Sequence, residues 1–151
     1  MRRIADALYL IAIALWVGGL WAIGYVAAPT LFSQLGSMVA GNIAGRLFTA
    51  MSWVGIVCAG YLLLYLLAGR GWAVFKSAVF WIVLSMLLLT LAGHFGVQPI
   101  LESIKAQMPR EVMEGVLRDR FARWHGVSSV LYLIQSALGL ALVVLQGRGA
   151  R

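Results

Sequence analysis

Polar residues in this chain are gathered into a few short stretches, and the sequence between them is apolar for about two dozen positions at a time. Four such runs stand out: Ala7–Ala28, Leu47–Ala68, Ser77–Val97 and Gly126–Leu145. Each reaches the length of about 20 residues that a helix needs to cross a hydrocarbon core about 30 Å thick. Backbone N–H and C=O groups find no partner in lipid, so a run of this kind must be helical. The alternation of apolar and polar positions that a membrane barrel requires is absent.

The breaks between the runs define the expected fold. Pro29 and the pair Gln98-Pro99 are expected to close the first and third spans, and "AGRGW" (68–72) separates the second from the third. No internal repeat or low-complexity tract is evident. The expectation is an all-α membrane protein: one domain over 1–151, a four-helix bundle running up-down-up-down. The stretch "SMVAGNIAGR" (37–46) reads as a short helix leading into the second span, with Ser37 as its cap. In segment 98–125, Val112, Met113, Val116, Leu117, Phe121 and Trp124 recur at helical spacing, with Arg110, Glu111, Glu114, Arg118 and Arg123 between them. That pattern predicts an interfacial amphipathic helix before the last span, opening at Pro109. An ordinary connector helix resting on the bundle fits equally well.

Composition agrees. Hydrophobic residues make up 62% of the chain and charged residues 11%, less than half the charge a soluble domain carries. A net charge of +7 would suggest nucleic acid in a soluble protein. Here the basic residues flank apolar spans, where they meet anionic headgroups, and no basic stripe with exposed aromatics exists for nucleic acid. The expected partners are therefore membrane lipids and a second copy of the chain. The start resembles a signal peptide, but its apolar run exceeds the usual core of about 7–15 residues. It is expected to be a retained helix. The single Cys58 can form no disulfide within the chain. Orientation is a tie by Lys and Arg: six flank the termini's side and six the other. Arg2 and Arg3 ahead of the first span favour cytoplasmic termini in a bacterial cytoplasmic membrane.

Within the first span, "LWVGGLW" (15–21) sets two glycines between two tryptophans. Ala14, Gly18 and Ala22 fall one above another at four-residue steps, a small-residue ridge against which another backbone can pack closely. Gly55 with Ala59, and Gly41 with Gly45, are candidate matching surfaces. Trp16 and Gly19 share the adjoining face, and the buried indole N–H requires an acceptor inside the bundle. Close packing explains this cluster; a Trp-lined pocket for a flat or apolar ligand is the functional alternative.

Candidate chemistry is sparse. No carboxylate lies within a span, which weighs against ion-coupled transport, although a small oligomeric transporter stays open. No catalytic constellation is present, so a non-enzymatic role is expected. His94 near the end of the third span and His125 at the start of the fourth reach the same membrane face, where together they could hold haem or copper. Ordinary interfacial histidines look the same. Arg46, on that face too, is expected to snorkel to headgroups, cap carbonyls or pair with Glu102. Gln98, Tyr132 and Gln135 add polar atoms, and Gln135 is expected to hydrogen-bond a neighbouring helix.

"LWVGGLWAIGYVAAPTLF" (15–32), "AGRLF" (44–48) and "RFARWHGVSSVLYLIQSALGLAL" (120–142) resemble domain-of-unknown-function family 4149, bacterial relatives of eukaryotic transmembrane protein 205. The resemblance implies four membrane helices and no particular activity. It marks Trp16, Gly18, Gly19, Pro29, Arg46, His125 and Ser128 as positions shared with the family. Many relatives carry asparagine where this chain has Tyr132. A weaker likeness, confined to the Trp-Gly-Gly helix, is to membrane copper-resistance proteins. The combined expectation is binding of a lipid-like ligand or partner beside Trp16, Gly18 and Gly19 and around Arg46, His94, His125 and Ser128, with haem or copper on the two histidines as the alternative.

Overall fold

The computed structural model describes residues 2–106 and 115–149. Its helices are α1 (Arg2–Trp21), α2 (Ala28–Gln34), α3 (Ser37–Arg70), α4 (Ala78–Leu91), α5 (Gln98–Ala106) and α6 (Gly115–Gly149). A π-helical segment, Ala22–Ala27, joins α1 to α2, and another, Ala92–Val97, joins α4 to α5. The result is four long rods of 32, 40, 29 and 26 residues, each long and apolar enough to span a membrane. The protein is thus an all-α, multi-pass membrane protein. Each rod packs beside its neighbours in sequence, and α6 returns to α1 to close the ring.

Several breaks take a different form from the expected one. Neither proline ends its helix. Pro29 sits in the first turn of α2 and Pro99 in that of α5, each two residues beyond a six-residue π segment. A proline ring collides with the carbonyl four residues earlier. Here those carbonyls belong to Tyr25 and Phe95, inside the π segments, whose wider turn shifts the hydrogen-bond register. The helix restarts with proline in its first turn, where the missing N–H costs nothing. Stretch 37–46 is no separate helix but the start of α3, and Ser37 does not cap it; Gly36 holds the cap position. Gly71, at φ +50, ends α3 in a backbone region that side-chain-bearing residues avoid. The amphipathic stretch before the last span is carried by α5 and by the beginning of α6, which runs unbroken from Gly115; residues 107–114 lie outside the described residues.

The two π segments also expose a relation invisible in the apolar pattern. "AIGYVAAP" (22–29) and "AGHFGVQP" (92–99) lie 70 positions apart, share alanine at the start and proline at the end, and adopt the same geometry. The first and third spans carry the same π-then-proline interruption at corresponding places.

Packing divides the bundle into unlike halves. Near the termini, Tyr9, Ile13, Leu62, Leu66, Val74, Phe80, Val83 and Leu142 form a closed core. Its rim is tied by Gln146 Nε2 donating to the Tyr9 hydroxyl (2.8 Å), Tyr61 donating to the Ala5 carbonyl (3.0 Å) and Tyr65 donating to Asp6. Midway, fully buried Trp16 lies in a notch at Gly55: a Cβ there would come 2.5 Å from the indole nitrogen. Glycine is needed because α3 must admit a rigid ring. Gly19 likewise accepts the Met51 thioether.

The ridge behaves otherwise. Gly18 is exposed, a methyl group added there would meet nothing within 4 Å, and the residue lines an outward groove between α1 and α6. The close approach to α3 runs along the Trp16 and Gly19 face, so the ridge of Ala14, Gly18 and Ala22 does not mediate packing within the chain. Trp16 points into the bundle as expected, yet its N–H finds no acceptor among the described residues. Packing against Gly55 outweighs a hydrogen bond whose loss costs about 1–3 kcal/mol. Gly55→Ala is expected to destabilise the detergent-solubilised protein by about 1–3 kcal/mol through overpacking against the indole, whereas Gly18→Ala holds stability or raises it by up to about 1 kcal/mol. Thermal unfolding of the two variants checks this; equal effects would contradict the notch.

Candidate functional site

Beyond Trp16, between the rods, lies a cavity of about 1170 Å³. Its floor is formed by Trp16, Met51, Thr90 and Gln135, and exposed Ser37, Met38, Glu102 and His125 stand at its mouth. The first and third rods supply opposing kinds of wall. From the first come Leu20, Gly24, Ala28 and Phe32; from the third come Thr90, His94, Gln98 and Glu102. Both sets recur every four residues, the helical spacing that stacks side chains on one face. They occupy corresponding places, each pair 70 positions apart. The set from the first rod is apolar, with the Tyr25 phenol beside it, and the set from the third is polar over roughly 18 Å at the usual helical rise, with Leu89, Gly93 and Leu101 beside it.

The polar wall is organised by two hydrogen-bond chains, each anchored on a backbone carbonyl. In the first, Thr49 donates its hydroxyl to the Gly45 carbonyl (2.9 Å). Its oxygen must then accept, and it does so from the Gln98 Nε2 amide (2.9 Å), which also lies 3.4 Å from the Gly45 carbonyl. Only an N–H can face two acceptors, so the Gln98 carbonyl oxygen points the other way, to His94 Nδ1 at 2.7 Å. That contact requires the proton on Nδ1, which leaves Nε2 of the neutral ring as a lone pair. In the second chain, Thr90 donates to the Met86 carbonyl (2.9 Å) and accepts from Gln135 Nε2 (2.7 Å). The Gln135 carbonyl oxygen then has no donor among the described residues.

The expected site residues are only partly brought together. Trp16, His94, His125 and Ser128 line the cavity, as does Tyr132, whose hydroxyl donates to the Leu20 carbonyl across the bundle. Gly24 is a close-approach position: the Tyr132 ring occupies the space a side chain there would need. Gly19 supports the floor indirectly through Met51, and Gly18 faces outward, away from the site. Arg46 is exposed and not among the lining residues; it forms no pair with Glu102 and caps no carbonyl among the described residues. Its side chain leaves the bundle at the membrane boundary, where a guanidinium stays hydrated. At the mouth, Lys105 Nζ reaches across from α5 to donate to the Gly41 carbonyl of α3 (3.2 Å).

Reasoning from the sequence missed Thr49 and Thr90 and the order of the polar wall. The signal was present: Thr90, His94, Gln98 and Glu102 at four-residue steps in an otherwise apolar span. The chain holds two histidines, so ¹⁵N-histidine spectra are simple to assign. Neutral His94 is expected as the Nδ1–H tautomer, and Gln98→Leu should abolish that preference. An Nε2–H tautomer in the unsubstituted protein would contradict the chain of donors.

No curated protein and no solved structure matches the chain. A family model matches residues 11–110, from the first span through the polar wall and α5, while the fourth span lies beyond the matched part. Since that match covers well over half of the sequence, the chain belongs to the family described as "Domain of unknown function (DUF4149)".

Proposed function

We propose that this protein binds a lipid-like amphiphile in the cavity, without chemical conversion, from a bacterial cytoplasmic membrane in which both termini face the cytoplasm. The observation that carries this reading is the pairing of one apolar wall with one polar wall around about 1170 Å³. Sites for small molecules generally occupy about 300–1,000 Å³ and combine mostly apolar surface with a few placed polar groups. An acyl chain would lie along Leu20, Gly24, Ala28 and Phe32, and a headgroup along His94, Gln98 and Glu102. With cytoplasmic termini the mouth faces the outer leaflet, and Arg46 outside the cavity would hold the phosphates of surrounding lipid. Haem or copper held by His94 and His125, which both line the cavity, is the alternative reading; a copper site would need further ligands, and no group of three His, Cys, Asp or Glu side chains is found among the described residues.

The cavity provides its own control. Gly45 and Gly93 line it, and a side chain at either meets open space. The first side-chain carbon at either position has room, leucine at both is expected to take up cavity space, and removing helical glycine is itself favourable by up to about 1 kcal/mol each. Native mass spectrometry of protein extracted in mild detergent is expected to show a tightly retained amphiphile. In Gly45→Leu/Gly93→Leu it should be lost, with thermal stability held or raised. Equal retention by both proteins would overturn the assignment.

A further inference from the structure

The hydrogen-bond chains restrict what kind of headgroup the cavity receives. Both chains begin at a backbone carbonyl and end in an acceptor: Nε2 of His94 for one, the carbonyl oxygen of Gln135 for the other. Neither acceptor takes a hydrogen bond from a described residue. Neither is sealed off, because the buried side-chain atom without a partner among the described residues is Trp16 Nε1. Gln135 is 6% exposed and lines the floor, so its oxygen is an unpaired polar atom facing the cavity from mid-membrane.

The hydroxyl donors around the floor are already in use. Thr90 donates to Met86, Ser52 to Phe48, and Tyr132 to Leu20. An occupant of the deep cavity meets lone pairs from His94 and Gln135, while the unused donors of the lining include the second Gln135 amide hydrogen, the Ser128 hydroxyl and the Trp16 indole N–H, the last of them sealed off. A buried acceptor left without a donor costs about 1–3 kcal/mol, so the occupant that fits is one that brings hydrogen.

Resting on the cavity reading above, we infer that the ligand is an amphiphile whose headgroup carries hydroxyl donors, and that His94 and Gln135 recognise those donors. At the His94 and Gln135 end the polar wall offers acceptors, and a headgroup hydroxyl supplies the hydrogen they take. The geometry specifies the headgroup's donors and leaves the acyl chain to be chosen by wall length.

The test uses a matched pair of probes, monopalmitoylglycerol and its di-O-methyl ether, which differ in the two hydroxyl hydrogens. They are titrated against delipidated full-length protein in lauryldimethylamine oxide above neutral pH, a detergent with no headgroup donor, and bound adducts are read by native mass spectrometry. Two hydrogen bonds of ordinary strength correspond to about a thirtyfold preference for the alcohol. His94→Phe and Gln135→Leu should each cut the preference severalfold while the ether's binding persists. Equal binding of alcohol and ether, tighter binding of palmitate than of monopalmitoylglycerol, or a preference that survives both substitutions overturns the inference. If alcohol and ether bind equally and Gly45→Leu/Gly93→Leu abolishes both, the cavity reading stands alone. If neither probe binds, both fall.

Discussion

Hydrocarbon offers no hydrogen-bond partner, and the architecture follows from how this chain answers that constraint. Its backbone is satisfied inside long helices. Side-chain hydroxyls fold back on their own helices: Thr30, Thr49, Ser52, Thr90, Ser129 and Ser136 each donate to a carbonyl four residues earlier. Such local bonds use up protons and leave oxygens able to accept. Gln98 and Gln135 exploit this by giving their amide hydrogens to two of those threonines, so each pins one helix to the next. Left over among the described residues are two acceptors on the cavity lining, His94 Nε2 and the Gln135 carbonyl oxygen, and the buried Trp16 N–H.

In the first and third spans a π turn, followed two residues later by proline, lets each rod continue without ending. Toward the termini, Trp16 in the Gly55 notch and the aliphatic core fill the space between the rods; toward the other end the cavity takes that space, and the rods are joined by polar side chains such as Gln98 and Lys105. These first and third rods have opposite chemistry at matching positions, Leu20 against Thr90 and Gly24 against His94. An amphipathic cavity is the consequence of putting two such rods on opposite sides of one space.

Much of this is legible in the residues alone. Span number and helical class follow from length and apolarity, which depend on the bilayer and hardly at all on tertiary detail. Gln135 as an interhelical bond is legible because a lone amide in a span has few alternatives. Other features are not. Proline reads as a terminator because its local penalty is large; relief by a π segment is a property of the turn before it and leaves no composition signal. Gly18 and Gly55 look alike as small residues, yet one faces outward and the other receives an indole. Only the rotation of each helix about its axis decides between them, and in nearly uniform apolar spans little in the sequence sets that rotation. The exposed place of Arg46 likewise depends on rotation rather than on depth.

The central claim is a bundle sealed near its termini and open at the other membrane face. Single cysteines at Gly45 and Gly93, in a Cys58→Ala background, can be challenged with a membrane-impermeant maleimide in sealed vesicles of each orientation. Both positions line the cavity with open space around them. Labelling of both from the face opposite the termini, and from that face only, is the predicted result. Labelling from the termini's face, or protection of both positions from either side, would contradict it.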